Sequence, residues 1–178
     1  MAGSDALTRV VIADAGPLIA LSRADQLSLL RGLFGQVEIT DQIRTEVLES
    51  GAFPGQVAID EALREGWLRC HTIELTAWRP LCPGVDAGEA SALLLAMQHL
   101  APLLIMDDRA GRAEARARGL SVMGVAAVVG LAKQQGLISA AAPVLARMRA
   151  NGYFIGHDVI AAVLARIGES AVPTPPGP

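Results

Sequence analysis

The chain has 178 residues, 52% of them apolar and 19% charged, with a net charge of −3 at pH 7. That supplies one domain with a substantial core, and no window approaches the roughly 20 continuous apolar residues that span a bilayer. Aromatics make up 3% of the chain, which leaves little for stacking on nucleobases, and the negative balance disfavours strong non-specific binding along a nucleic-acid backbone.

The N-terminus lacks the basic-then-apolar order of a secretion signal, so a cytoplasmic protein without membrane association is expected. Cys70 and Cys82 form no Cys-x-x-Cys pair, and His71, His99 and His157 have no second ligand at helical spacing. Reduced structural thiols and no zinc or haem site follow from that spacing.

In chain order, the apolar run Val10–Ala13 predicts a strand, closed by Asp14. Pro17–Ala24 and Asp25–Phe34 read as helices, with Asp25 as an N-cap. Val37–Thr40 reads as a second strand, Asp41–Ser50 and Gln56–Glu65 as helices and Trp67–Leu75 as a third strand. Trp78–Gly88, with two prolines, reads as a loop, and Glu89–Leu100 as a helix with Leu93, Leu94 and Met97 on its apolar side. A fourth strand, Pro102–Met106, ends at Asp107 and Asp108. Arg109–Arg118 is helical, Leu120–Val125 a fifth strand, and Ala126–Gln135, Ser139–Ala150 and Asp158–Ile167 are helices. The Pro-rich tail 171–178 has no means of building a core and is expected to be disordered, leaving a single domain over 1–170.

Such alternation implies an α/β protein, a three-layer α/β/α sandwich on a central parallel sheet. Continuous apolar strands are buried on both faces and belong at the sheet centre. Open α/β folds hold ligands at the carboxyl edge, so Asp14 and Asp107 or Asp108 are expected to meet there. Glu46 shares a polar helix face with Gln42 and Glu49, which also suits a solvated surface. Asp86 and Glu89 have the spacing of a capping box, a reading that competes with a role in a site. Arg109, Arg112 and Arg116 line one side of a helix that starts beside these acids; they suit phosphate contacts or, interleaved with Glu114, a solvated face.

The ordered set Ile12-Ala13-Asp14-Ala15-Gly16-Pro17-Leu18-Ile19, then Glu46, then Gly88-Glu89-Ala90, then Ile105-Met106-Asp107-Asp108-Arg109-Ala110-Gly111-Arg112 resembles the PIN-domain nucleases, in particular the branch related to toxins of toxin–antitoxin pairs. The resemblance covers roughly residues 9–137, and the Gly-Tyr-Phe segment with the last helix also resembles that branch. It implies a sheet of order 3-2-1-4-5 and a metal-dependent endoribonuclease that cleaves single-stranded RNA. Carried over by position, Asp14 and Glu46 match the first two family acids. Glu89 stands where most of the family has Asp, and Asp107-Asp108 covers the fourth position, with Asp108 the better fit to the usual spacing.

Gathered carboxylates repel one another unless a cation neutralises them, and oxygen ligands without His or Cys select hard ions, so Mg²⁺ or Mn²⁺ is the expected cofactor. Asp14 and Asp108 would be the principal ligands, with Asp107 and Glu89 beside them and Glu46 orienting water; Arg109 and Arg112 would hold flanking phosphates. The resemblance further implies a homodimer and a small antitoxin partner. A catalytically weak PIN-like module that binds a partner protein is the alternative. A haloacid-dehalogenase-type phosphatase is disfavoured, because Gly16 stands where its second Asp is needed.

Overall fold

In the computed structural model, residues 9–49 and 51–170 are described. The expected tail, 171–178, lies outside them. Within this range the elements run β1 (Val11–Ala13), α1 (Ala15–Arg23), α2 (Ser28–Phe34), β2 (Val37–Thr40), α3 (Asp41–Glu49), α4 (Gln56–Arg64), β3 (Leu68–His71), α5 (Ala87–Met97), β4 (Leu103–Ile105), α6 (Arg109–Ala117), β5 (Ser121–Met123), α7 (Val125–Gln134), α8 (Ala142–Ala150) and α9 (His157–Ile167).

The five strands form one parallel sheet in the order β3-β2-β1-β4-β5. β1 and β4 lie side by side, Val11 opposite Leu103 and Ala13 opposite Ile105, and every residue of both is buried. These are the strands with unbroken apolar runs, as a sheet covered on both faces requires. The edge strands differ: β3 buries only Leu68 fully, and no residue of β5 is fully buried. α5 packs on β1, β2 and β4 with α3 and α6 beside it, while α2, α7, α8 and α9 build the other layer. α5 is buried along most of its circumference, including Glu89 and Ser91, so it is the central helix of its layer. Met97, expected on the apolar side, is instead 49% exposed at its end.

Two local expectations are corrected. Asp25 does not start a helix: its φ is +55°, and its amide donates to the Ser22 carbonyl at 3.1 Å, so it takes the left-handed step that ends α1. The third strand is shorter than Trp67–Leu75. Beyond His71 the backbone leaves the sheet, because the Ile73 amide donates to Asp41 Oδ1 (3.2 Å) and the Ile73 carbonyl accepts from Gln42 Nε2 (2.8 Å). Side chains of α3 replace the missing ladder partners.

Candidate active site

In a parallel α/β sheet each strand feeds a helix whose N-terminus sits at the carboxyl edge, so unpaired amides and the positive helix ends collect there. Here α1 and α7 start two residues beyond the ends of β1 and β5, and α6 starts four beyond the end of β4. An acid placed at these junctions is held by backbone amides or is left to repel its neighbours, and both outcomes occur.

Asp14 leaves β1 at the edge, its amide hydrogen-bonded to the Ile105 carbonyl of β4 at 2.9 Å. It stands at the N-cap of α1, yet its side chain makes no capping hydrogen bond. The residue is only 8% exposed. Burial pushes its pKa up to about 7; the adjacent Ala15 amide offsets part of this, and the negative charges of Glu46, Asp86 and Asp107 add to it.

Glu46 reaches the same region from α3. Ile43 and Val47, fully buried, fix that helix against the core. Thr40 fixes its start: the Thr40 hydroxyl accepts from the Ile43 amide (3.3 Å) and shares a 2.5 Å hydrogen bond with the Ser91 hydroxyl of α5. A Cβ added at Gly88 would stand 3.1 Å from Glu46 Oε2 and 3.4 Å from Asp86 Oδ1, so the bare glycine is what lets both carboxylates lie over the start of α5. Burial and the Asp86 charge raise the Glu46 pKa.

Asp86 and Glu89 do form the capping box. The Glu89 amide donates to Asp86 Oδ1 (2.8 Å), and the Asp86 amide donates to Glu89 Oε2 (3.0 Å). The second reading holds as well: Glu89 is buried, and its pKa is pushed up to about 8 by burial, by the Asp86 charge and by a hydrogen bond shared with Asp108, against the pull of the Asp86 amide.

The two aspartates after β4 part company. Asp108 is exposed and caps α6, its Oδ1 accepting from the Ala110 (2.6 Å) and Gly111 (3.2 Å) amides. Burial opposes ionisation, but the Gly111 and Ala110 amides, Glu89 and the Arg109 amide together hold its pKa below the usual carboxylate range. Asp107 is held by other elements, and its charge acts on Asp14. Its carboxylate accepts from the Val125 amide at the start of α7 (3.1 Å) and from the Tyr153 hydroxyl (2.8 Å). Burial nevertheless raises its pKa, more than Tyr153, Val125 and the Arg112 charge lower it.

The arginines divide too. Arg109 is exposed at the first turn of α6, free to meet a ligand. Arg112 is half-buried and donates to the Met106 carbonyl at 3.1 Å, so it braces the β4 exit beside Asp107. Glu114, expected on a solvated face, is fully buried and belongs to a separate structural cluster. Sequence reasoning gave Tyr153, the chain's one tyrosine, no role beyond its place in the Gly-Tyr-Phe segment, and left Asp86 between a cap and a site residue without carrying it into the metal site. A lone tyrosine beside Gly152, in a chain poor in aromatics, was the available signal for the first.

The acids thus form a linked series. Asp14 is flanked by Asp107, Glu46 and Asp86, and Asp86 leads through Glu89 to Asp108. The donors are oxygens alone, and the charge on Asp14's neighbours is what a hard divalent cation would neutralise, so these residues fit such an ion. Among the described residues no three His, Cys, Asp or Glu side chains are drawn together as a ready-made metal cage.

A parallel five-stranded sheet of order 3-2-1-4-5, with carboxylates from β1, α3, α5 and β4 at its carboxyl edge, defines a three-layer α/β protein with an acidic, oxygen-only centre. A family model described as DUF3368: PIN domain matches residues 10–169, and the chain belongs to the PIN-domain family. PIN domains are generally nucleases that use divalent metals, so membership carries a nuclease-type function. Among solved structures, the chain is similar to a PilT N-terminus domain protein from the hyperthermophilic archaeon Sulfolobus solfataricus P2, at 15% identity over 83% of this chain and 98% of that one, with a TM-score of 0.49. No curated protein matches. Among the described residues no helix is long and apolar enough to cross a membrane.

Proposed function

We propose that this protein is a divalent-metal-dependent endoribonuclease that cleaves phosphodiesters of single-stranded RNA. The observation that carries the reading is Asp14: a carboxyl group 8% exposed and without a capping hydrogen bond, at the edge where parallel sheets hold ligands, with three further acids near enough for their charges to help raise its pKa to about 7. Asp14 and Asp107 would hold a Mg²⁺ or Mn²⁺ ion, with Glu46 and Asp86 beside them; what favours Asp107 over Asp108 next to Asp14 is its charge acting on Asp14 and the commitment of Asp108 to capping α6. When bound, such an ion activates water and polarises the phosphodiester.

The chain's own groups supply the rest. Glu89, whose pKa burial and its acidic neighbours push up to about 8 before an ion binds, is the group that would release a proton towards a departing oxygen. Asp108 stays ionised beside it and orients that proton. Arg109 is placed to meet a phosphate next to the scissile one, while Arg112 keeps the β4 exit in shape.

The toxin role, a symmetric homodimer and a small antitoxin partner belong to this proposal, supported by the toxin-like order of the acids. Light scattering at micromolar concentration tests the dimer; a monomer contradicts it. The test of activity is cleavage of single-stranded RNA with Mn²⁺, with EDTA and in Asp14→Asn. Cleavage that needs Mn²⁺ and vanishes in the variant supports the nuclease. Cleavage that persists in EDTA or in Asp14→Asn contradicts this site. A highly purified protein that binds RNA or a partner and never cleaves favours the binding module.

A further inference from the structure

The connection between α8 and α9 sends one side chain back into the acidic edge. Tyr153 hangs from a fixed stem: its amide donates to the Met148 carbonyl at 3.1 Å, and Ile155, two residues on, is buried in the core. The ring is half-buried, and its hydroxyl donates to Asp107 Oδ2 at 2.8 Å. On the other side of that hydroxyl lies the first turn of α1. A Cβ built on Gly16 would stand 3.1 Å from Tyr153 Oη and 3.9 Å from Cε2. The hydroxyl therefore fills the gap between the exit of β1, which carries Asp14, and the exit of β4, which carries Asp107.

Asp107 has two fixed donors, Tyr153 from one direction and the Val125 amide from another. A carboxylate held at both ends keeps one orientation, and its unused lone pairs keep one direction. We infer that Tyr153 is a positioning residue, which aims the Asp107 carboxylate at the ion-binding region beside Asp14 and requires glycine at position 16 to do so. The inference rests on the metal-dependent reading above and adds to it a residue from outside the four acid-bearing elements. Groups that orient a metal ligand commonly change affinity about 10- to 100-fold when removed.

The test is Mn²⁺ affinity, read by isothermal titration calorimetry on the full chain in wild type, Tyr153→Phe, Gly16→Ala and the double variant, each with its circular dichroism spectrum. Tyr153→Phe keeps the ring and removes only the donor; affinity should fall about tenfold. Gly16→Ala should weaken binding in the same direction, because its methyl displaces the hydroxyl. In the double variant the methyl meets only the ring carbon, at an ordinary contact distance, so Gly16→Ala should cost almost nothing more. That non-additivity is the signature of one shared contact, and loss of general packing would not produce it.

Unchanged affinity in Tyr153→Phe, or simple addition of the two effects, overturns the role of Tyr153 and leaves the metal reading standing. Tighter binding in Tyr153→Phe also overturns it, and shows a hydroxyl that competes with the ion. A wild-type chain that takes up no Mn²⁺ overturns the metal reading itself, and the inference with it.

Discussion

Two buried acids in this protein behave in opposite ways. Glu114 of α6 is fully buried, and Asp14 at the end of β1 nearly so. Glu114 accepts from the Leu81 amide (2.9 and 3.0 Å), the Cys82 amide (2.5 Å) and the Arg118 guanidinium (2.6 and 2.7 Å). Burial alone would raise its pKa, but those donors hold it below the usual range. Arg118 also stacks on Trp78, 4.5 Å from the ring centroid, so this acid pins the loop before α5 onto α6. Asp14 is nearly as buried but has acids for neighbours and little donor support, and its pKa moves up to about 7. Burial does not distinguish a structural acid from a functional one; the partners do.

The largest expected effect lies on the structural side. Glu114→Ala leaves Arg118 and two backbone amides without their acceptor inside the protein, and should cost about 3–5 kcal/mol in chemical denaturation. Asp14→Asn should do the reverse without metal and stabilise the fold, since it removes a carboxylate that is costly to ionise. A loss of stability in both variants would erase the contrast.

The next effect is on pH dependence in EDTA. Asp14 binds its proton more tightly folded, at about 7, than unfolded, at about 4, so its contribution is fully present below pH 4 and is lost as pH rises to about 7. Glu89 acts the same way between about 4.5 and 8. Together they should lower stability across this window, and Asp14→Asn should flatten the lower part. Glu114 has the opposite sign: its contribution is present above the ordinary glutamate pKa and fades as pH falls through its lowered folded value. Denaturation midpoints measured from pH 3 to 9 on wild type, Asp14→Asn and Glu114→Gln separate the two.

Among the acids of the edge, Glu46→Gln should reduce Mn²⁺-dependent cleavage less than Asp14→Asn, because Glu46 is exposed and less tightly placed. The smallest effect is expected at Arg109→Ala: weaker RNA binding by electrophoretic shift with Mn²⁺ affinity unchanged, since its proposed partner is phosphate. Arg112→Ala should instead disturb stability, through its bond to the Met106 carbonyl.

What could be read from sequence followed local pattern. The unbroken apolar runs of β1 and β4 marked the sheet centre, and their terminal aspartates marked its edge, because both signals sit within a few neighbouring residues. The strand order came with the family resemblance and is the order observed. Partners from distant segments were invisible. Glu114 has the spacing of a solvated helix face, and only the chain fold brings the Leu81 and Cys82 amides, 33 and 32 residues away, to meet it. Adjacent Asp107 and Asp108 look alike in sequence; Val125 and Tyr153 claim one, and the first turn of α6 claims the other. Asp25 suits both an N-cap and a left-handed helix end, and local pattern does not separate the two; the fold uses it as the end.

The most direct measurement is thermal denaturation of wild type and Asp14→Asn at pH 7.5, each in EDTA and in millimolar Mn²⁺. A ligand that binds only the folded state raises its stability, so Mn²⁺ should raise the wild-type midpoint by several degrees. The variant should melt above wild type in EDTA and gain nothing from Mn²⁺. Equal Mn²⁺ stabilisation of both proteins would place the ion elsewhere and contradict a cation site centred on Asp14.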